Sequence, residues 1–433
     1  MTIKLLEHQQ RCVDYIKNHR GLILYHSMGS GKTITSLAMA VQFQNPIIII
    51  ATKSSKKNFR DDMIKMGITA DKVFITTYKK SIRAITEREI NFDGKIIIID
   101  EAHRLRNKTK LMNIIIEECK RAIKLILLTG TVFYNSAADL CTLANMVKGY
   151  SILPEDPKLF LYYYYNEYFN MVADEDDLRN KLEGLISYYK KDTDVNYPTR
   201  EKHIIKVIMN EMQLNEYKVY IKKFFGIPAK NNPLYVDFDE VEKRKKNYFL
   251  SATRQISNTV DGSTDSPKIR MIAKYILEGP KPSIIYSNFL ENGVLPMSKI
   301  LQSNGVLCGI YHGGINEEKQ EDLIKKYNTG KLDVLLITTA GSESLDLKNT
   351  RQIHIMEPHF NDSKIEQLIS RAIRYLSHNS LPIDKRHVII YEWISVFPIE
   401  VKELSADEFL LKMSKKKEAL FKQLDEIIKS VSV

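Results

Sequence analysis

Cysteine is scarce in this chain and tryptophan scarcer, with four of the first and one of the second in 433 residues. Cys12, Cys119, Cys141 and Cys308 lie far apart and form no CxxC pair. That pattern gives no disulfide framework and no ligand spacing for zinc, so a structural zinc is not expected. Long hydrophobic runs are missing as well. No apolar stretch approaches the ~18–20 residues that cross a bilayer. The opening "MTIKLLEHQQ" turns polar before it could serve as the core of a secretory signal. A chain that is not secreted and has no membrane partner is the expectation. No internal repeat or low-complexity tract is present.

Hydrophobic residues make up 44% of the chain and charged residues 27%, a globular profile. The length exceeds one ordinary core and predicts two or three domains. The net charge of +11 favours a polyanionic partner through release of counterions. Two basic clusters, "KSSKKNFR" (53–60) and "RLRNKTK" (104–110), follow directly on apolar runs.

Those runs carry the fold. "GLILY" (21–25), "PIIII" (46–50), "KVFIT" (72–76), "KIIII" (95–99) and "KLILL" (124–128) are short, β-rich and apolar throughout rather than alternating. Such runs suit central strands of a parallel sheet, buried on both faces. Helical stretches such as "TITSLAMAVQF" separate them, which is the rhythm of a doubly wound α/β domain. The same rhythm returns in "PSIIYS" (282–287), "GVLCGIYH" (305–312), "DVLLITT" (333–339), "RQIHIM" (351–356) and "HVIIYEWI" (387–394). Two α/β domains are therefore predicted, at 1–148 and 266–400. Residues 149–265, with "YYYY" and few strand-like runs, are predicted to be a mainly helical, partly irregular insertion, closed by a linker at "STDSP" (263–267). Residues 401–433 are predicted to be a C-terminal helix. Ser405 and Glu408 form its capping box, and Phe409, Met413, Leu420, Leu424, Ile427, Ile428 and Val431 fall at helical spacing. The helix is expected to pack on its own domain.

Three stretches carry chemistry. "HSMGSGKT" (26–33) lies between a strand and a helix. Gly29 and Gly31 allow a tight turn with its N–H groups facing inward, and with the next helix N-terminus, residues Met28 to Thr33 form an anion nest. Lys32 would reach the β- and γ-phosphates of a nucleotide and Thr33 would place a hydroxyl on Mg²⁺. "IIIIDEAH" (96–103) delivers Asp100 and Glu101 to the end of a buried strand, where ligands of such sheets gather. Asp100 would bind the Mg²⁺ and Glu101 would polarise the attacking water. Read alone, "DEAH" is a polar turn after a strand; the phosphate loop upstream gives it its partner. "QLISRAIR" (367–374) puts Gln367, Arg371 and Arg374 at i, i+4 and i+7 of one helix face, where the arginines would serve as arginine fingers.

Together these residues resemble a superfamily-2 helicase or translocase. The motifs appear in order: "LLEHQ" (5–9), the phosphate loop, "ATKSS" (51–55), "TTY" (76–78), "DEAH", "TGT" (129–131), "IIYSNF" (284–289), "TTAGSESLDL" (338–347) and "QLISRAIR". "YHGGINEEKQEDLIKKYN" (311–328) points to the Swi/Snf-type branch. "LISYYKKDTDVNYPTR" (185–200) and "RAIRYLSHNSLP" (371–382) resemble the poxvirus nucleoside triphosphate phosphohydrolase I and related large-DNA-virus transcription ATPases. The resemblance implies two RecA-like domains and ATP with Mg²⁺ as cofactors. It implies Gln9 on the adenine, Met28, Gly29, Ser30, Gly31, Lys32, Thr33 and Asp346 on the nucleotide, and Lys53, Ser54, Thr77 and Ser287 on nucleic-acid phosphates. The chain departs from the pattern at His26, Val132 and Ser344.

The implied activity is a nucleic-acid-dependent ATPase that couples hydrolysis in an interdomain cleft to movement on DNA, favoured over RNA, in viral transcription. RNA polymerase or transcription factors are the implied protein partners, and host cytoplasm or virion the implied location for a viral source. A helicase-like scaffold without turnover and the motor subunit of a nuclease complex are the alternatives.

Overall fold

A computed structural model describes residues 4–433, apart from 28, 54, 107–108, 134–135, 167, 169, 191–196, 227–231, 239–240, 242–245, 339–344 and 360–361. The chain divides into two compact units, residues 1–192 with 416–433, and residues 193–415.

In the first unit the strands in chain order are β1 (Gly21–His26), β2 (Ile47–Ala51), β3 (Val73–Thr77), β4 (Ile96–Ile99) and β5 (Lys124–Thr129). A short hairpin follows, β6 (Tyr165–Asn166) with β7 (Met171–Val172), and then β8 (Ile186–Tyr189). Among the described residues the main sheet runs β3-β2-β4-β5-β1-β8, with every pair parallel. The isoleucine runs follow from this arrangement. Side chains alternate along a strand, so Ile48, Ile50, Ile97 and Ile99 enter the core on one face, while Ile47, Ile49, Ile96 and Ile98 enter the core on the other. Each fully buried isoleucine contributes about 1.5–3 kcal/mol, which makes these strands rigid supports for whatever their ends carry.

The second unit repeats the plan with β9 (Thr199–Ile208), β10 (Ser283–Ser287), β11 (Cys308–Tyr311), β12 (Val334–Thr338), β13 (Gln352–Ile355) and β14 (His387–Val396). The described sheet runs β11-β12-β10-β13-β14-β9, again parallel throughout. Ile284, Leu335 and Ile353 pack on one face, and Ile285, Leu336 and Trp393 on the other. A further core joins helices Glu211–Phe225 and Lys246–Asn258 through Tyr217, Ile221, Phe249 and Leu250.

The ten strands expected from the apolar runs are all present, and the doubly wound α/β class holds for both units. The boundaries differ from those expected. Residues 149–265 form no body of their own: the part up to 192 belongs to the first unit, and the rest to the second. Each part donates an edge strand, β8 to the first sheet and β9 to the second. The "STDSP" segment lies inside the second unit, with Ser266 buried and its hydroxyl donating to the Asn258 carbonyl at 2.5 Å. Nor does the helix Ala406–Ser430 stay with the preceding domain. Ala406 and Leu410 pack in the second unit, whereas Leu420, Leu424, Ile427 and Ile428 fill the first unit's core. Its capping box is present: Glu408 N–H donates to Ser405 Oγ at 3.1 Å, and Ser405 N–H to Glu408 Oε2 at 3.2 Å.

Candidate nucleotide and nucleic-acid sites

In the first unit all parallel strands end on the same edge of the sheet. That edge receives the loop after β1, Thr52 and Lys53 after β2, Tyr78 after β3, Asp100 and Glu101 after β4, and Gly130 and Thr131 after β5. The loop after β1 leads into helix Lys32–Val41. Gly29 and Gly31 take left-handed φ values of 78° and 80°, which side chains disfavour. A Cβ on Gly31 would also stand 2.5 Å from Gln9 Nε2. The Gln9 amide is buried and turned onto the loop, donating from Nε2 to Ser30 O at 3.2 Å and accepting from Leu6 N–H at 2.9 Å. Ser30 Oγ is buried with no hydrogen-bond partner among the described residues, a polar atom that a bound phosphate would satisfy. Lys32 Nζ donates to the carbonyls of His26 (2.8 Å) and Ser27 (3.0 Å), over the loop itself. Thr33 follows, half-buried in the helix's first turn. Met28 lies outside the described residues.

The acid pair is held by its backbone. Glu101 has φ 52°, a left-handed conformation that costs a non-glycine residue on the order of 1–3 kcal/mol. Tyr78 offsets this: its hydroxyl donates to the carbonyls of Asp100 (2.7 Å) and Glu101 (3.1 Å). Burial pushes the Asp100 carboxyl up, while a Ser55 hydrogen bond and the charges of Lys32 and Arg104 pull it down. Burial pushes Lys32 down, against the attraction of Glu101 and Asp100. The loop lysine and both carboxylates therefore share one electrostatic environment. Burial drives His103 down to about 3, helped by Arg106 and Arg104, so the ring is neutral. Its Nδ1 lies 3.3 Å from Glu101 Oε2 and 3.2 Å from Thr129 Oγ1. Thr129 Oγ1 accepts from Thr131 N–H at 3.1 Å and Thr131 Oγ1 donates to Phe133 O at 2.6 Å, while the Phe133 ring stacks on Phe421. The "DEAH" and "TGT" segments are thus joined by contacts.

Of the phosphate-gripping candidates in this unit, Lys53 is exposed and Thr77 caps helix Tyr78–Thr86, accepting from Lys80 N–H at 3.4 Å. Ser54 lies outside the described residues. Lys56 is a further candidate. Its own burial, Arg60 and Lys80 all hold it below the usual lysine value, which marks a cluster of like charges at the ends of β2 and β3.

Four residues given no structural role from the sequence, His8, His26, Ser187 and Tyr189, surround the loop. His26 is fully buried, and its Nε2 lies 2.9 Å from Ser187 Oγ, which also accepts from Cys12 Sγ at 3.1 Å. This ring packs under the loop, which is why a histidine is accommodated where a glycine is usual. Burial first, then Lys32 and His8, depress His26 to about 3 and keep it neutral. Tyr189 ends β8: its carbonyl accepts from Ser27 N–H at 2.8 Å, and its ring stacks on His8 with centroids 3.6 Å apart. Through Ser187, Tyr189 and His8, an edge strand supports both the phosphate loop and the helix of Gln9. The sequence signal for the strand itself was "LISYY", too short to declare its partner.

In the second unit Gln367 and Arg371 lie on helix Asp362–Ala372, both half-buried. Arg374 is not on it. The helix stops at Ala372, and Ser377 Oγ accepts from Arg374 N–H (3.1 Å) and donates to Arg374 O (2.8 Å), turning the chain. Arg374 instead donates to Ser370 O and Leu345 O, each at 3.2 Å, and approaches the exposed Asp346 carboxylate at 3.5 Å. Burial and neighbouring Arg371 lower it, and Asp346 raises it. Ser344 lies outside the described residues. Ser287 must be corrected as a phosphate contact: it is fully buried, and its hydroxyl donates to Glu357 at 3.0–3.1 Å. Glu357, itself fully buried, also accepts from Asn288 Nδ2 (3.0 Å) and Asn258 Nδ2 (2.8 Å). It ties the exits of β10 and β13 together.

A parallel-sheet unit with a glycine loop, a lysine and an acid pair on its strand ends has the form of a nucleotide-hydrolase domain of helicase type. The comparisons name the family. Residues 45–262 match the SNF2-related domain and residues 267–376 the helicase conserved C-terminal domain. The chain belongs to this SNF2-related helicase family. It is 43% identical over its whole length to an Acanthamoeba polyphaga mimivirus protein, 98% of which is covered, named "Putative ATP-dependent RNA helicase L538". It is 26% identical, over 88% of its length and 70% of the relative's, to the "Termination factor NPH-I homolog" of African swine fever virus. The helicase domain of Pyrococcus furiosus Hef shares the fold, with a TM-score of 0.51 at 13% identity, covering 89% of this chain and 95% of that one.

Proposed function

We propose that this protein is a nucleic-acid-stimulated ATPase that converts hydrolysis into movement along DNA or RNA. The observation that carries the reading is the meeting of Lys32 with Asp100 and Glu101 on one strand-end edge. Lys32 neutralises phosphate charge, and the loop N–H groups between Gly29 and Gly31 orient it. Thr33 and Asp100 have the hard oxygen donors that Mg²⁺ takes. That ion, when bound, supplies further charge neutralisation. Glu101 accepts the proton of the attacking water, with the neutral His103 keeping its carboxylate in place. Gln367, Arg371 and Arg374 are assigned to the charge that develops on the transferred phosphoryl group, and Asp346 to the nucleotide. Lys53, Lys56, Arg60 and Lys80 take nucleic-acid phosphates, so binding is nearly blind to sequence and falls steeply with salt. The names of the viral relatives support a role in transcription.

ATPase rates against single- and double-stranded DNA and RNA, with strand displacement followed in parallel, test the reading. Stimulation by at least one polymer is expected, with DNA the stronger activator. Absence of hydrolysis with all of them leaves a scaffold without turnover.

Tyr189→Ala removes an aromatic stack worth about 0.5–1.5 kcal/mol, so ATP affinity should fall roughly two- to tenfold. Tyr189→Phe should restore it, because neither the stack nor the carbonyl bond uses the hydroxyl. Equal weakening in both variants counts against a positioning role.

A further inference from the structure

Helix Ala406–Ser430 brings two side chains to the base of the nucleotide site that no motif contains. In its stretch within the first unit, Phe421 and Asp425 stand at i and i+4, on one face of the helix. Asp425 grips both strands that carry the phosphate loop. Its Oδ1 accepts from the Tyr25 hydroxyl at 3.0 Å, and its Oδ2 accepts from Lys190 Nζ at 2.6 Å. Tyr25 is the last residue but one of β1, directly before His26 and Ser27, whose carbonyls receive Lys32. Lys190 follows Tyr189, whose carbonyl holds Ser27 N–H. The Lys190 ammonium also lies 5.2 Å from the centres of the Tyr25 and Tyr188 rings alike, within reach of a cation–π attraction. Burial first, and then the charge of Asp425, push the Tyr25 phenol above its usual value, so it remains a donor. The Lys190 and Asp425 side chains are 32% and 23% exposed, so solvent screens them less than it screens a surface pair. Phe421 serves the other catalytic segment. Its ring stacks on the buried Phe133, with centroids 5.1 Å apart and planes 16° from parallel. From Phe133 the contacts run through Thr131 and Thr129 to His103 and so to Glu101.

We propose that Asp425 and Phe421 are positioning residues of the nucleotide site, Asp425 for the phosphate loop and Phe421 for the acid pair. Both act through other residues, and the proposal rests on the reading of this site as an ATPase. The two roles are separable because they run through different contacts. Asp425 fixes the strand ends from which the loop springs, so its loss acts on the fit between loop and phosphates, and hence on affinity. Phe421 fixes the backbone beyond Thr131, so its loss leaves the loop alone and shifts the support of Glu101. Small displacements of a catalytic group are costly to turnover. Nothing in the sequence links these residues to the site: Asp425 is 400 positions from Tyr25 and lies in an ordinary amphipathic stripe.

The full chain is titrated with a fluorescent ATP analogue, and hydrolysis is measured at saturating ATP well below the melting temperature of each variant. Asp425→Ala should weaken analogue binding by about tenfold with kcat unchanged. Adding Tyr25→Phe to it should cost nothing further, because the partner is already gone. Asp425→Asn keeps the side chain's shape and should move affinity the same way by less, since it still accepts from Tyr25. Phe421→Leu keeps an apolar side chain and loses the ring; kcat should fall by about tenfold with analogue affinity unchanged. Phe421→Tyr keeps the stack and should restore kcat. A helix that only stabilises the unit would lower the melting temperature and leave both nucleotide parameters at wild-type values, and that result overturns the proposal. So does the same change of affinity and kcat in the Asp425 and Phe421 variants, or a Phe421→Tyr variant as slow as Phe421→Leu. If wild type binds the analogue without hydrolysing ATP, the ATPase reading falls and affinity alone decides: wild-type affinity in Asp425→Ala overturns the proposal.

Discussion

Glu101→Gln should bind ATP as tightly as the wild type and hydrolyse it at least about a hundredfold more slowly, the range expected when a general base is removed. The substitution preserves shape and both polar ends of the side chain. The backbone at this position is set by Tyr78, whose hydroxyl grips the carbonyls of Asp100 and Glu101, so the left-handed φ of 52° should persist. Only the basicity disappears. Burial of His103 matters here. A ring held near 3 is neutral at physiological pH, so no imidazolium quenches the Glu101 carboxylate 3.3 Å away. Equilibrium titration with a fluorescent ATP analogue and a phosphate-release assay separate the two quantities. A matching loss of affinity would show that Glu101 binds nucleotide rather than activating water.

Arg371→Ala should lower kcat by about a thousandfold or more, the range of an arginine finger, with KM for ATP changed by no more than a few-fold. Arg374→Ala should move kcat in the same direction but with an added cost. Arg374 donates to the carbonyls of Ser370 and Leu345, and charged hydrogen bonds are worth about 1.5–3 kcal/mol when buried. At 28% exposure solvent screening reduces that figure, and the contact to exposed Asp346 adds little. The melting temperature of the Arg374 variant should therefore fall. Steady-state kinetics beside thermal melts check both. Equal loss of kcat and ATP affinity in Arg371→Ala would remove it from the transition state and make it a simple binding residue.

The site's two principal motifs were legible because each is continuous in sequence. Gly29, Gly31 and Lys32 sit within one turn of chain, and Asp100 and Glu101 follow four isoleucines whose burial on both sheet faces needs no partner to be recognised. Ser287 misled because its hydroxyl is taken by Glu357, seventy positions away in sequence, a partner that its own motif does not contain. Arg374 misled because the i, i+7 spacing presumes a helix that Ser377 turns aside before it arrives.

The sequence by itself determined the two parallel sheets, the strand ends on which the phosphate loop and acid pair stand, and the family. Those features rest on local periodicity and on backbone conformations that only particular residues tolerate. Tertiary structure alone decided where the middle region went. β8 and β9 are edge strands, and β9 in particular is largely exposed, with charged residues such as Glu201 and Lys202 along it. Neither carries the two-faced apolar signature, and each is a strand only because β1 or β14 supplies its hydrogen bonds. The same holds for Tyr189 under the loop and for the terminal helix, which gives Leu410 to one unit's core and Leu424 to the other's. A helical stripe states that a face must be buried, and it does not name the surface that buries it.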